Sequence, residues 1–354
     1  MNYRVVNIQP QTGKDEKYSV LIIYTGGTMG MSYNDKATLS PFNFEEIINE
    51  MPVLKSMDLE LAVVSFSEPI DSSNVTIDHW NLLASIIEKH YADYHGFVVL
   101  HGTDTLAYSA SALSFMLDGL QKPVIFTGSQ LPMGAVRTDA NQNLIAALQI
   151  ASSYDNRGPL VQEVCVYFDY FLYRGNRCKK VESVHFDAFE SENYPPLAEV
   201  GISIDYNFAS LNIAPSSPLN VLPMKPTSIA LIKLFPGLNE QLFKHTLQTP
   251  GLQGVVLETF GSGNAPTVSW FIQCINEAIS NNIIIFNVSQ CNGGRVIQGR
   301  YETSKHLLES GVISGGDITT EAALAKMQLI FSNSTEFNQM NTSLTTPMRG
   351  EMSY

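Results

Sequence analysis

The segment that decides the fold runs from Val20 to Gly30 and reads VLIIYTGGTMG. Its first residues are apolar or aromatic without interruption, which is typical of a strand covered on both faces. A glycine-rich turn with two hydroxyl side chains, Thr25 and Thr28, follows directly. Open α/β sheets bind ligands at the carboxyl ends of their strands, so a site is expected here. Taken alone, this glycine-rich segment is more typical of an ordinary tight turn than of a ligand site. Its G-G-x-x-G spacing matches neither a dinucleotide-binding loop nor a Walker loop.

Further along the chain, apolar runs of strand length alternate with helical patterns. One helical stripe places Leu106, Ala110, Leu113, Leu117 and Leu120 at spacings of four and three. This alternation predicts an α/β protein with largely parallel sheets flanked by helices. The other predicted helices are 139–153, 266–280 and 319–331, and the predicted strands are 20–25, 97–101, 124–127, 164–168, 229–234, 254–260 and 283–288.

The length of 354 residues fits two domains. Four prolines between serines and asparagines give residues 210–227 the composition of a linker. We therefore predict a larger N-terminal α/β domain over 1–215, a linker over 216–227 and a smaller C-terminal α/β domain over 228–354. The polar ends, residues 1–18 and 334–354, are expected to be frayed.

The net charge of −13 disfavours nucleic-acid and membrane-surface partners, because both are anionic. The four cysteines have no metal-ligand or C-x-x-C spacing, and this pattern indicates reduced thiols in a cytoplasmic protein without a metal or cofactor. The N-terminus lacks the apolar core of a signal peptide, and no apolar run is long enough to span a membrane.

Three other segments carry candidate chemistry. His101–Thr105 follows a buried strand, and Thr103 or Asp104 either caps the next helix or binds a charged ligand at its N-terminus. Pro69–Thr76 is an ordinary Asx turn or a hydroxyl-lined carboxylate site. Tyr173–Lys180 is either a solvated basic loop or the source of a lysine poised beside a hydroxyl. A threonine nucleophile needs a nearby base and oxyanion donors, so these segments together predict a hydrolase site with no defined substrate.

In this order, the segments resemble the bacterial-type L-asparaginases, specifically the cytoplasmic type I branch. The resemblance extends from about Val20 to Phe331 and implies hydrolysis of L-asparagine to L-aspartate and ammonia by a homo-oligomer, usually a tetramer of intimate dimers. The motifs that carry it are Thr25–Thr28 (TGGT), Asp71–Ser73 (DSS), His101–Thr105 (HGTDT), Thr127–Gln130 (TGSQ), Arg174–Arg177 (RGNR) with Lys180, Phe186–Phe189 (FDAF) and Gly261–Pro266 (GSGNAP).

The resemblance also implies roles for individual residues. Thr28 matches the nucleophile that forms the acyl-enzyme. Thr103, Asp104 and Lys180 match a supporting hydroxyl, carboxylate and lysine, and the Thr103 backbone N–H matches an oxyanion donor. Asp104 would also bind the substrate α-ammonium, and Ser72 the α-carboxylate.

Asp71 and Ser73 complete the predicted substrate-binding segment, and Asn264 would approach the site of a neighbouring subunit. The chain departs from the family in three places. Thr38 stands near the position of the usual mobile-loop tyrosine, with Tyr33 closer to Thr28. Ser73 replaces the glutamine of periplasmic members. Glu258 replaces an arginine that, in some members, contributes to a second asparagine site near the segment matching Ser289–Cys291.

Three functions follow from these observations: an asparaginase, a related amidase, or a catalytically silent protein that binds a small ligand. Within the second class, a glutaminase is the main alternative. The short segment before Val20 disfavours an amidotransferase subunit with an extra N-terminal domain. A silent relative is expected to have lost one of Thr28, Thr103, Asp104 and Lys180, and all four are present.

Overall fold

The chain forms two units, Met1–Val221 and Leu222–Tyr354. The division between the units lies inside residues 216–227, the predicted linker. We propose that this segment connects the two units. Asn220–Val221, within it, pairs with Leu117–Asp118 and so belongs to the first unit. The computed structural model describes five stretches of the chain: residues 3–8, 18–33, 39–41, 52–213 and 217–353.

The first unit is built on a nine-stranded sheet with the spatial order β1-β3-β2-β4-β5-β6-β7-β8-β9. The five strands from β3 to β6 in that order are parallel, and the pairs towards both edges are antiparallel. The strands are β1 Tyr3–Ile8, β2 Tyr18–Gly26, β3 Leu59–Ile70, β4 Gly96–Leu100, β5 Val124–Thr127, β6 Val164–Phe168, β7 Phe171–Arg174, β8 Ala198–Val200 and β9 Ile204–Tyr206.

The helices of the first unit are α1 Ile77–Lys89, α2 Leu106–Met116 and α3 Ala140–Ala151. Short two-stranded ribbons join Met31–Tyr33 to Leu39–Pro41, Tyr154–Asp155 to Gly158–Pro159, and Lys179–Lys180 to Phe189–Glu190. The last ribbon carries the candidate catalytic lysine.

The second unit is built on a four-stranded parallel sheet in the order β10-β11-β12-β13. Within the described part of the chain, no helix has the length and apolar character needed to cross a membrane. The elements of this unit are β10 Ile229–Lys233, α4 Glu240–Leu247, β11 Gly254–Thr259, α5 Ser269–Ser280, β12 Ile284–Ser289, α6 Glu302–Ser310, β13 Ile313–Ser314, α7 Thr320–Asn333 and α8 Phe337–Thr345.

Strand β2 lies at the point where the order of strands reverses. It has β3 on one side and β4 on the other, and both neighbours are parallel to it. The chain therefore leaves β2 in one direction and returns on the other side to form β4. In doubly wound sheets, the carboxyl ends of strands at such a switch point open into a crevice that binds ligands. The turns after β2 and β4 are those with Thr28 and Thr103.

The predicted α/β class with two domains is confirmed. Residues Val20–Tyr24 of β2 are at most 1% exposed, as the uninterrupted apolar run predicted. Observed strand ends differ from the predicted ones by at most two residues.

Three predicted helices are shorter than their sequence patterns indicated, and one of them, α3, begins at Ala140 and ends at Ala151. Helix α2 ends at Met116, so Leu117 and Leu120 are not part of it. Leu117–Asp118 instead pairs with Asn220–Val221, and this long-range pairing ends the helix. Helix α5 begins at Ser269, because Val268 before it has an extended backbone (φ −67°, ψ 142°).

The prediction of a frayed C-terminus was wrong. Helix α8 lies within it, and the fully buried Lys326 and Glu351 side chains form an ion pair of 2.7 Å. Lys326 Nζ also donates to the carbonyls of Leu344 and Thr346. At the other end of the chain, β1 pairs with β3 instead of fraying, while residues 9–17 lie outside the described residues.

Candidate active site

The turn after β2 is held by hydrogen bonds at both of its ends. Thr25 Oγ1 donates to the Leu100 carbonyl at the end of β4 over 2.9 Å. The Tyr24 hydroxyl donates to the Gly30 carbonyl over 3.1 Å, and burial raises the pKa of Tyr24. Between them, Thr28 begins a 3₁₀ turn and is half-buried. The hydroxyl of Thr28 is thus displayed on a turn whose backbone is anchored to the neighbouring strand.

Gly27 brings this turn against the turn after β4. Its φ is +90°, and a Cβ placed on it would lie 2.5 Å from the Gly102 backbone nitrogen. A Cβ on Gly102 would in turn lie 2.6 Å from Ser72 Oγ, and Thr105 Oγ1 donates to the Ser72 carbonyl over 2.7 Å. The turns with Thr28, Ser72 and Thr103 therefore meet at one place, as the sequence analysis expected.

Replacing Gly27 by alanine is expected to lower the free energy of unfolding by about 3 kcal/mol or more, from backbone strain combined with overpacking. The Gly158→Ala variant provides the control, because Gly158 also has a positive φ (+125°) but no atom within 4 Å of its added Cβ. Urea unfolding of both variants separates the two causes. Equal losses of stability in both would contradict the close contact between the turns.

Lys180 links the two side chains of the second turn. Its Nζ donates to Thr103 Oγ1 over 2.8 Å and to Asp104 Oδ1 over 2.7 Å. Thr103 is 8% exposed, and the side chains of Lys180 and Asp104 are 18% and 67% exposed. The hydroxyl therefore lies in a protected position, while the carboxylate reaches solvent and remains accessible to a charged ligand.

The alternative that Thr103 or Asp104 caps the next helix was wrong. Gly102 precedes the 3₁₀ turn Thr103–Thr105, and Thr105 precedes helix α2; neither position has a capping side-chain hydrogen bond. The polar side chains of this turn instead bind residues outside the helix.

The Asx turn predicted for the third segment is present. Asp71 Oδ1 accepts from the Ser73 backbone N–H over 3.0 Å and from Ser73 Oγ over 2.9 Å. Ser72 is 5% exposed and, as described above, lies against Gly102. The turn thus places its middle residue in the crevice and leaves the Asp71 and Ser73 side chains exposed.

The basic segment between Tyr173 and Lys180 is not a solvated loop. Arg174 and Arg177 are each 3% exposed. Arg174 Nε donates to Glu163 Oε2 over 2.6 Å, and its guanidinium stacks on the Tyr194 ring. This buried, charge-assisted pair fixes the end of β7 just before the ribbon that carries Lys180.

Gln130, to which the sequence analysis gave no role, contacts the same hydroxyl. Thr103 Oγ1 donates to Gln130 Oε1 over 3.4 Å, and Gln130 Nε2 donates to the His185 carbonyl over 2.9 Å. Asp139 holds the Gln130 backbone by accepting from its N–H over 2.9 Å. The signals in the sequence were its place after strand β5 and its membership of the TGSQ motif.

The sequence analysis also singled out Asn264, Tyr33 and Thr38. Asn264 is in the second unit, where its Oδ1 accepts from Thr303 Oγ1 over 2.7 Å. Tyr33 ends a ribbon strand, whereas Thr38 lies outside the described residues.

Glu258 is committed to contacts within the second unit. Its Oε1 accepts from Thr320 Oγ1 over 2.6 Å, and Lys233 Nζ lies 3.7 Å from its Oε2. The carboxylate at this position therefore binds the first residue of α7. Cys291 is exposed, and none of the four cysteines, all within the described residues, forms a disulfide.

Within the described residues, no group of three or more His, Cys, Asp or Glu side chains could hold a metal ion. The residues that meet here instead carry hydroxyls, the Asp104 carboxylate, the Lys180 ammonium and the Gln130 amide. Such a set can support acyl transfer with a hydroxyl nucleophile.

Family models match both units of the chain. The model described as "Asparaginase, N-terminal" matches residues 19–211, and that described as "Glutaminase/Asparaginase C-terminal domain" matches residues 228–344. Together they cover most of the chain in the order expected from the sequence.

Individual relatives match over nearly their whole length. L-asparaginase 1 of Escherichia coli (strain K12) is 37% identical over 343 residues, which cover 95% of this chain and 98% of that protein. The crystal structure of L-asparaginase I from Vibrio cholerae O1 biovar eltor str. N16961 superposes with a TM-score of 0.87 at 38% identity, covering 96% and 100% of the two chains. The thermostable L-asparaginase from Thermococcus kodakarensis gives 0.87 at 27% identity, covering 95% and 99%.

Proposed function

The chain belongs to the asparaginase family, in its type I branch, and we propose that Thr28 is the nucleophile with which it hydrolyses L-asparagine to L-aspartate and ammonia. One observation carries this assignment. The half-buried Thr28 lies on a turn in backbone contact with the turn of Thr103, which itself receives a hydrogen bond from Lys180. A hydroxyl nucleophile and a proton-transfer pair thus meet at the switch point of the sheet.

In the first half of the reaction, Thr28 Oγ1 attacks the side-chain amide carbon of the substrate. The developing oxyanion is stabilised by the Thr103 backbone N–H at the amino end of α2, where unpaired N–H groups favour negative charge. The C–N bond then breaks, and the proton from Thr28 leaves with the nitrogen as ammonia. An aspartyl ester on Thr28 remains.

In the second half, water attacks this ester and restores the Thr28 hydroxyl. The Thr103 hydroxyl accepts from Lys180 and donates to Gln130, so it is the midpoint of a short chain of hydrogen bonds beside the reacting atoms. Lys180 assists proton transfer along this chain, and Thr103 assists the attack of water. One water molecule is consumed for each asparagine.

Asp104 and the segment Asp71–Ser73 bind the amino-acid end of the substrate. The exposed Asp104 carboxylate binds the α-ammonium, and the Ser72 hydroxyl binds the α-carboxylate. The Asx turn between Asp71 and Ser73 holds this segment in shape. Because the side chain of Ser73 is small, Asp104 makes the main contact with the substrate α-ammonium.

We also propose a cytoplasmic homo-oligomer, a dimer or a tetramer of intimate dimers, in which Asn264 approaches a neighbouring subunit's site. The resemblance to the type I branch supports the assembly, and the four cysteines, none of which forms a disulfide, support a reducing compartment. Sedimentation analysis of the purified protein reports the assembly directly, and a monomer at working concentration would contradict it.

The purified protein is expected to release ammonia from L-asparagine with a kcat/KM about 10- to 200-fold above that for L-glutamine, because one extra methylene changes binding in a fitted pocket by this much. Ammonia release over a broad range of both amides measures the ratio. A preference for glutamine would favour the glutaminase alternative, and the absence of hydrolysis by folded protein would favour a silent ligand-binding protein.

A further inference from the structure

A buried chain of three side chains lies behind the Thr103 turn, and the proposed reaction gives it no role. His101 Nδ1 is 2.7 Å from the Gly102 carbonyl oxygen, and its Nε2 is 2.9 Å from Ser109 Oγ. The indole Nε1 of Trp80 donates to the same Ser109 Oγ over 2.9 Å. His101 is 2% exposed and Ser109 is fully buried.

For a neutral imidazole, the donors and acceptors of this chain allow one arrangement of protons. A carbonyl oxygen accepts only, so His101 Nδ1 must carry its proton, and an indole N–H donates only. Ser109 therefore accepts from Trp80 and donates to His101 Nε2. The imidazole is neutral in this arrangement, in agreement with burial lowering the pKa of His101 to about 4.

The Gly102 carbonyl belongs to the same peptide unit as the Thr103 N–H. That unit is planar and trans, so its carbonyl and its N–H point in opposite directions. A hydrogen bond that fixes the carbonyl therefore also fixes the direction of the N–H. Accepting a hydrogen bond at the oxygen further polarises the N–H and strengthens it as a donor.

We propose that His101 is a positioning residue that aims and polarises the Thr103 N–H as the oxyanion donor, and that Ser109 and Trp80 hold its ring in the required tautomer. This inference rests on the proposed function, because it needs an oxyanion beside Thr103. It assigns a role to the first residue of the HGTDT motif. The ring acts through the Gly102 peptide without touching the substrate.

The test compares His101→Asn with His101→Gln and His101→Leu. Asparagine places an amide N–H at the position of Nδ1, whereas glutamine places its amide near Nε2 and leaves the Gly102 carbonyl without this donor. We expect His101→Gln and His101→Leu to lower kcat about 10- to 100-fold with KM changed less than about threefold, as for weakening an oxyanion donor. His101→Asn is expected to retain kcat within about threefold.

A role limited to filling space predicts the opposite order, because glutamine is closer to histidine in volume than asparagine is. His101→Gln or His101→Leu with the kcat of the wild type would therefore overturn the proposal. If the wild type itself releases no ammonia from asparagine, the proposed function fails, and this outcome is distinct from the failure of His101 as a positioning residue.

Two measurements do not depend on the folding of the His101 variants. Nitrogen-15 NMR of histidine-labelled wild type is expected to show His101 as the neutral Nδ1–H form at neutral pH; an Nε2–H or doubly protonated ring would contradict the proposal.

Ser109→Ala is expected to lower kcat about three- to tenfold, because it weakens control of the tautomer. Ser111→Ala, an equally buried serine on the same helix, is the matched control and is expected to leave kcat unchanged.

Discussion

Replacing Thr28 by alanine is expected to lower kcat for L-asparagine by about 10⁴-fold or more, the scale of losing a hydroxyl nucleophile. The side chain is half-buried on a turn anchored by its neighbours Thr25 and Tyr24, so the fold is expected to persist. Steady-state ammonia release measures the loss, and urea unfolding confirms that the variant is folded. Thr28→Ser, which keeps a hydroxyl, is expected to retain part of the activity.

Thr25 is the matched control in the same turn. Its hydroxyl is committed to the Leu100 carbonyl, so Thr25→Ala is expected to cost about 1 kcal/mol of stability and far less activity than Thr28→Ala. A slow amide or ester substrate, followed by mass spectrometry of the trapped enzyme, is expected to place the acyl group on Thr28. An acyl group on Thr103 or wild-type turnover in Thr28→Ala would refute the nucleophile assignment.

Much of the parallel architecture could be predicted, because buried parallel strands leave a local signal. The run from Val20 to Tyr24 is apolar at every position, and the structure buries all of it. The short antiparallel strands β7, β8 and β9 carry no such signal, since three or four residues are too few to show a period. Their pairing depends on contacts with one another that composition does not reveal.

The buried charges mark the limit of sequence reasoning most clearly. Lys326 and Glu351 look like ordinary surface residues of a helix and a polar tail, yet both are fully buried and paired. Buried charges of this kind are stable only with a partner, and the partner here is distant in sequence. The C-terminus therefore could not be identified as ordered from its polar composition.

In the candidate site too, some residues could be predicted from the sequence and others could not. Thr28, Ser72 and Thr103 could be placed together because each follows a strand, and strands of a parallel sheet end at a common edge. Lys180 could be connected to them only through the family resemblance, because its ribbon is local and its partner Asp104 is far away along the chain. His101 was overlooked because a histidine at a strand end looks like a core residue until its hydrogen bonds are known.

Replacing Lys180 by methionine is expected to lower kcat about 10²- to 10⁴-fold, the range typical of a group that transfers protons in the transition state. The change removes the donor to Thr103 Oγ1 and frees Asp104 from its ion pair. An unpaired Asp104 still binds the substrate ammonium, so KM is expected to change less than kcat. Steady-state kinetics with L-asparagine gives both constants.

Lys179 is a matched control, because it is adjacent in the same ribbon and, by the alternation of strands, projects from the opposite face. Lys179→Met is therefore expected to keep kcat within about twofold, as a residue outside the site should.

Lys180→Arg retains a charge but not the compact ammonium that reaches both oxygens, so little activity should return. Small primary amines added to Lys180→Ala should restore part of kcat if proton transfer is the role of the lysine. A large loss in Lys179→Met, or a Lys180→Met enzyme with altered KM and normal kcat, would assign Lys180 to binding instead of chemistry.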